Sequence, residues 1–459
     1  MYRHALTDLE RWLHRARRKP LVIRGARQVG KTTLVRLFAE EYFQGLAELD
    51  FERRPELAGL FAGNDPRRTL GLLEVELEAD LVPGRTLLFL DEIQAAPEVL
   101  ASLRYFYEEL PELHVIAAGS LLEFALEAPA FSMPVGRIEY LHLGPMQLDE
   151  LLLAAGKKRL ARYLSHYRLG DEIPEAIHQQ LTDWLRSFLI VGGMPDAVRA
   201  FVEEGGSYRT SEAVKHSILA TFHDDFGKYG PRVDTARLRK VFERLPHLVG
   251  GKLKYVHIDR EDRAKDLAAA LRHLSQARLA FRVHHTAANG VPLGAEADER
   301  RFKVLCLDVG LIATASGLTI LDLERAGDVL LVNRGALAEQ LVGQHLLYST
   351  PAWEEPRLYY WAREKPGSSA EVDYVISQGS EILPLEVKAG KTGTLKSLHL
   401  FLREKRRRLA LRLSSAPPSL HEAETSLPGG NAPFRLLSLP LYLVGEVRRL
   451  VGELLDRGS

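Results

Sequence analysis

Residues Gly25-Ala26-Arg27-Gln28-Val29-Gly30-Lys31-Thr32 carry the spacing G-x-x-x-x-G-K-[ST], with Thr33 next in line. Glycines so spaced let backbone N–H groups close around a β-phosphate. The lysine then reaches the β/γ oxygens, and the hydroxyl of Thr32 holds Mg²⁺. The ligands implied are ATP and Mg²⁺. The run Leu87-Leu88-Phe89-Leu90-Asp91-Glu92 is apolar and ends in two carboxylates. Asp91 would serve Mg²⁺ directly or through water, and Glu92 would orient and polarise an attacking water. A third run, Val115-Ile116-Ala117-Ala118-Gly119-Ser120, ends in a hydroxyl suited to the γ-phosphate or that water. Arg137, after Gly136, is a candidate for neutralising transition-state charge, with Arg104 as competitor. An ordinary ion-pair arginine fits either position equally well.

A second set lies near the other end. Glu371-Val372-Asp373 is followed by Leu383-Pro384-Leu385-Glu386-Val387-Lys388. On a strand, Glu386 and Lys388 share a face because the side-chain period is two. If the neighbouring strand pairs with it, Asp373 and Glu386 converge with Lys388 beside them. Such carboxylates bind divalent metal, and the lysine stabilises charge or positions a water, as in phosphodiester cleavage. Glu339, on a preceding helix, would complete the metal set. The same spacing also fits a solvated strand edge with ion pairs. Between Glu386 and Arg412 stand nine Lys/Arg against two acids, an excess of seven, with Arg403-Glu404-Lys405-Arg406-Arg407-Arg408 inside it. That run suits a phosphate backbone, or a solvated helix face.

These residues need elements to hold them. Residues 5–18 have apolar positions at helical spacing, 21–23 read as a short buried strand, and 31–42 as a helix. Strand-like runs recur at 47–51, 86–90 and 114–118, with helical patterns at 67–80 and 99–110 between them. Strand–helix alternation predicts an α/β fold, a parallel sheet covered on both faces, over residues 1–150. Residues 151–234 read as a helical linker, broken at Gly192-Gly193-Met194-Pro195. Residues 235–310 give helix, strand, turn, strand, the order of a winged helix or of a generic α+β piece. Residues 311–459 give a helix at 336–347, strands at 357–361, 372–376 and 382–387, and a helix near 396–408. A Pro/Ser-rich loop at 414–433, a strand at 434–439 and an amphipathic helix at 444–455 follow.

Taken in order, the strings GARQVGKTTL, LLFLDEIQ, VIAAGSLL, PVGRIEYLHLGPMQLDEL, FLIVGGMP, LCLDVGLI, YYWAREKPGSSAEVDYVI and ILPLEVKAGK resemble one family. It is that of bacterial and archaeal AAA-type P-loop ATPases with a C-terminal restriction-endonuclease-like domain of unknown function. The resemblance spans nearly the whole chain. It implies ATP and Mg²⁺ ligation by Lys31 and Thr32, the acidic pair Asp91 and Glu92, and a sensor-like Ser120. It also implies a winged-helix segment between the two domains. Glu339, Asp373, Glu386 and Lys388 match the PD-(D/E)XK nuclease-like pattern. One departure is Val372, where this superfamily commonly has proline before the aspartate.

Composition bounds the rest. The chain has 459 residues, 46% apolar and 27% charged, with 61 basic against 61 acidic side chains. That is a folded protein of about three domains, and its balance argues against a bulk-basic coat protein. The zero sum hides unlike parts: residues 48–80 hold nine acids against four arginines. A single cysteine, Cys306 in an apolar run, excludes a disulfide framework and a cysteine-rich zinc site. The charged start lacks a signal-peptide core, and no run approaches the ~18 apolar residues of a membrane span, so a cytoplasmic chain without membrane contact is expected. The expected partners are ATP, DNA through the C-terminal basic segment, and a second copy in a homo-oligomer. Three functions stay open: an ATPase driving a DNA nuclease, an ATP-dependent switch that binds DNA or a protein without cleavage, and a non-hydrolysing regulator. The Asp91-Glu92 pair argues against the last.

Overall fold

A computed structural model describes residues 1–122, 124, 134, 136–229, 233–318, 335–365, 368–388, 395–425 and 431–456. Lys391 of the basic run lies outside them. Five strands form the first sheet: β1 (Leu21–Arg24), β2 (Gly45–Asp50), β3 (Thr86–Asp91), β4 (His114–Gly119) and β5 (Glu139–His142). Their order is β2-β3-β4-β1-β5, and every pairing is parallel. Every residue of β3 and β4 is buried, as strands covered on both faces must be. Alternate residues feed two layers. Ile23, Leu87, Phe89 and Ile116 pack with Leu9 and Trp12 of α1 (Ala5–Leu13) and Phe38 of α2 (Lys31–Tyr42). Val22, Leu88, Leu90 and Val115 pack with Leu73 of α3 (Pro66–Leu77) and Leu103 and Phe106 of α4 (Pro97–Glu109). The α/β sheet with helices on both faces is thus as expected. β5 was not anticipated, because only its last two residues are buried.

Eight strands form a second, mixed sheet: β6 (Ala280–Thr286), β7 (Ala297–Cys306), β8 (Leu358–Lys365), β9 (Ser368–Gln378), β10 (Glu381–Val387), β11 (Leu409–Ser414), β12 (Ser419–Glu424) and β13 (Pro433–Pro440). The order is β12-β13-β11-β10-β9-β8-β6-β7. Two expectations change here. The β6–β7 hairpin, read as the wing of a winged helix, is the edge of this sheet. β6 pairs in parallel with β8, Val283 opposite Leu358, because Phe281 and Val283 need a covered sheet around them. The sheet therefore crosses residue 310. The Pro/Ser-rich stretch also contains β12, an antiparallel edge partner of β13 with charged, outward residues that hide the strand pattern. One apolar core runs without a break from Leu9 to Leu454, the latter on the closing helix Val447–Asp456.

The glycine break at 192–193 is a junction between regions. Asp308, fully buried, accepts from Gly193 N at 2.6 Å, Leu311 N at 3.0 Å and Gln344 Nε2 at 3.1 Å. Gly192 has φ +78°, and a Cβ there would lie 2.1 Å from Asp308 Oδ1. One carboxylate thereby joins helices Glu175–Val191, Val309–Ala315 and Ala336–Leu347. Asp308→Ala leaves three buried donors unpaired and should cost about 3 kcal/mol, with Asp308→Asn costing less, in guanidinium unfolding of the full chain.

Candidate functional site

Parallel strands place their C-terminal ends on one edge, and the phosphate loop leaves β1 there. Gln28 at φ +66° and Gly30 at φ +91° are left-handed, the backbone alternation that turns successive N–H groups toward an anion. Gly25 is forced by space, since a Cβ would meet Leu143 O at 2.4 Å. Helix α2 begins at Lys31 and aims its positive end at the loop. Lys31 is buried, and its Nζ donates to Gly25 O at 3.1 Å and Ala26 O at 2.9 Å. Thr33 is exposed on the first turn.

The acidic pair meets this loop. Thr32 Oγ1 donates to Asp91 Oδ2 at 2.6 Å, and Asp91 Oδ1 accepts from Glu92 N at 3.0 Å. Burial raises the Asp91 carboxyl above the usual range, against the pull of the Thr32 hydrogen bond. Glu92 sits at φ +49° just past β3, with its Oε2 3.4 Å from Ser120 Oγ and 2.5 Å from Gln94 Nε2. Gly119 makes room for Gln94, whose Oε1 a Cβ would meet at 2.3 Å. Thr32, Asp91, Glu92 and Ser120 thus come together from three strand ends, beside Lys31. A hydroxyl and a carboxylate in contact, next to a left-handed loop and a buried lysine, fit a nucleotide phosphate with its Mg²⁺.

Two supporting residues, Gln94 and Arg3, escaped the sequence reading, and the loop residue Arg27 makes contacts that it did not anticipate. Gln94 holds Glu92 and was legible only as part of the LFLDEIQ string. Arg27 binds Asp225 Oδ1 at 2.7 Å and Glu52 Oε2 at 3.3 Å, so the loop grips helix Tyr208–Asp225. Arg3 is buried and donates to Val29 O at 2.9 Å, Gly144 O at 2.7 Å and Glu150 Oε1 at 3.1 Å. Nothing around a lone arginine near the start signals that role. Arg137, by contrast, is not brought to this loop. It precedes β5, whose Glu139 pairs with Leu21 at the start of β1, so it lies at the opposite end of the sheet. There it pairs with Glu108 at 2.8 Å. Arg104 stacks on Tyr105.

The C-terminal residues do converge, around a lysine that was not anticipated. Lys303 Nζ lies 2.8 Å from Glu339 Oε1, 2.7 Å from Glu371 Oε1 and 3.6 Å from Asp373 Oδ1. Asp373 Oδ2 accepts from Val387 N at 2.8 Å, and Lys388 Nζ pairs with Glu386 Oε1 at 2.7 Å. Burial opposes the Lys303 charge, but Glu339, Asp373 and Glu371 outweigh it and hold the ammonium well above its ordinary range. Burial, with Asp373 nearby, pushes the Glu386 carboxyl up. Among the described residues, no group of three or more His, Cys, Asp or Glu side chains is arranged to hold a metal ion. A lone lysine within the apolar run Phe302–Leu305 was the available signal. Cys306 is free, and burial pushes its thiol up to about 12.

The basic run does not sit beside this cluster, contrary to expectation. Arg406, Arg407 and Arg408 precede β11 and, with Arg435 and Glu381, line an open concavity. β11 runs parallel to β10, so the concavity lies at the Glu381 end, about 17 Å of strand from Glu386. Arg412 alone of the later arginines is the register partner of Glu386.

Residues 17–152 match a family model described as an AAA domain. Residues 182–322 and 334–423 match two domains of unknown function, DUF8612 and DUF4143. A comparison with curated proteins finds no significant match. Among solved structures, the Walker-type ATPase PABY2304 of Pyrococcus abyssi is 20% identical over 68% of this chain and 94% of that one, with a TM-score of 0.43. The RuvB Holliday junction branch migration motor of Thermotoga maritima is 15% identical over 61% and 87%, with a TM-score of 0.24. The ORC1 protein of Aeropyrum pernix in complex with DNA is 13% identical over 69% and 93%, with a TM-score of 0.25. No helix among the described residues is long and apolar enough to cross a membrane. The all-parallel sheet and the phosphate loop with its acidic strand end all lie within residues 17–152, the span that matches the AAA domain model.

Proposed function

We propose that the chain binds ATP through Gly25–Thr33, hydrolyses it to ADP and phosphate, and contacts DNA through its C-terminal region. The contact between Thr32 and Asp91 at 2.6 Å, with Glu92 and Ser120 beside it, carries the reading. Lys31 exchanges the carbonyls of Gly25 and Ala26 for β/γ oxygens of the nucleotide. Thr32 and Asp91 are the residues that would hold Mg²⁺, which would supply neutralisation of phosphate charge. Glu92 accepts a hydrogen bond from the attacking water and draws its proton as oxygen bonds to the γ-phosphorus. The bond to the bridging oxygen breaks, and ADP leaves. Gln94 and Ser120 hold the Glu92 carboxylate in place. Arg137 reaches a phosphate only on a neighbouring copy, which makes a homo-oligomer part of the proposal. The concavity of Arg406, Arg407, Arg408 and Arg435 is the surface whose charge suits a DNA backbone.

Phosphate release measures the first half. Glu92→Gln should lower turnover about 10²–10⁴-fold while fluorescent ATP still binds, and Lys31→Ala should abolish binding. Turnover unchanged in Glu92→Gln removes the assigned role. Fluorescence anisotropy with duplex DNA measures the second. Arg408→Gln with Arg435→Gln should weaken binding and reduce the slope of log affinity against log salt by about one per arginine. An unchanged slope places the contact elsewhere.

A further inference from the structure

Carboxylates gathered in a part-buried cluster need a cation, and the C-terminal cluster already contains one. We infer that Lys303 occupies the cation position of the nuclease-like carboxylate set, so that this set is a closed salt cluster which takes no divalent ion and cuts no DNA. The inference deepens the reading of the C-terminal region as a DNA-contacting surface and is independent of ATP turnover.

The geometry assigns most of the oxygens a metal would need. Glu339 Oε1 and Asp373 Oδ1 face the Lys303 ammonium at 2.8 and 3.6 Å. Asp373 Oδ2 is held by Val387 N at 2.8 Å, and Glu386 Oε1 by Lys388 at 2.7 Å. Of the expected ligands this leaves one oxygen each on Glu339 and Glu386, and the latter is buried without a partner. Two such oxygens are poor ligation for Mg²⁺, which keeps strict octahedral geometry and sheds water reluctantly. A dication between them would also lie against the ammonium.

Lys303 is fixed in place. Its side chain is 2% exposed and rises from β7 between Phe302 and Val304, which are both buried in the core. Its Nζ also lies 5.6 Å from the centre of the Tyr360 ring. Around it the charges balance. Glu371 receives a second lysine, Lys252, at 3.4 Å, and Arg412 flanks Glu386 in register. Withdrawing Lys303 would leave the largely buried Glu339 and Asp373 without this counter-charge and Glu371 with Lys252 alone. The lysine therefore works as a cross-link: it ties the β7 edge to helix Ala336–Leu347 and to β9. DNA bound in the arginine concavity is held at the other end of β10, away from these carboxylates.

The test uses the full chain without nucleotide. Mn²⁺ is titrated and free ion is counted by its electron paramagnetic resonance signal, and duplex and plasmid DNA are incubated in parallel. The native chain should take up no Mn²⁺ that depends on Asp373, and DNA should be bound but uncut. Lys303→Met should gain one Mn²⁺ per chain, lost again when Asp373→Asn is added. Native uptake of one Mn²⁺ that disappears in Asp373→Asn or Glu339→Gln overturns the inference. So does a folded Lys303→Met variant that gains none. If Lys303→Met does not fold, the native titration with the Asp373→Asn control decides alone. Loss of ATP turnover in Lys31→Ala leaves every one of these readouts unchanged, so the two readings fail separately.

Discussion

The direction of five strands governs the phosphate-loop site. In a parallel sheet every strand exits on the same edge, so residues far apart in sequence share a rim only when they follow strand ends. Here β4 lies between β1 and β3. The phosphate loop and the acidic pair are therefore not neighbours through backbone pairing, and Ser120, at the end of β4, falls between them. Thr32 reaches Asp91 across that gap because α2 starts immediately after the loop. The complete burial of β3 and β4 keeps the rim in register, since sliding either strand by one residue would send its apolar side chains to the wrong layer.

The outer side of the loop is held by parts of the chain that do not belong to the sheet. Arg3, just ahead of α1, fastens Val29 and Gly144, and Asp225 of helix Tyr208–Asp225 fastens Arg27. Each bond pairs a charge with a specific partner across more than twenty residues of chain. The loop conformation and the seating of helix Tyr208–Asp225 are thus linked directly. A phosphate that draws Arg27 inward competes with Asp225 and Glu52 for the same guanidinium.

What sequence reveals here follows from how local each feature is. The loop, β3 and β4 were legible because their apolar runs and terminal polar residues are contiguous. β5 and β12 were not, since both are edge strands whose outward residues, such as Glu139 and Glu422, interrupt the apolar pattern. The β6–β8 pairing joins residues some 75 apart and leaves no local trace. The carboxylate set was correctly gathered from the spacing of Asp373, Glu386 and Lys388, but its cation was not, because Lys303 arrives from another strand. The basic run shows the reverse error. It is adjacent to Glu386 in sequence, yet the crossover through helix Lys396–Lys405 returns the chain to the start of β11, parallel to β10, and so to the far end of the sheet.

The two acidic sites differ in what neutralises them. Asp91 is buried against neutral donors, the Thr32 hydroxyl and the Glu92 N–H, and among the described residues no cation pairs with it directly. A carboxylate held by neutral donors alone keeps its charge open to a cation. Glu339, Glu371 and Asp373, partly buried, face a buried ammonium on the same chain. There the counter-charge is covalently present and independent of ion supply, which suits a joint that must hold throughout a cycle. The zero net charge of the chain includes such unlike parts: carboxylates paired with lysines in the C-terminal sheet, and a carboxylate held by neutral donors beside the phosphate loop.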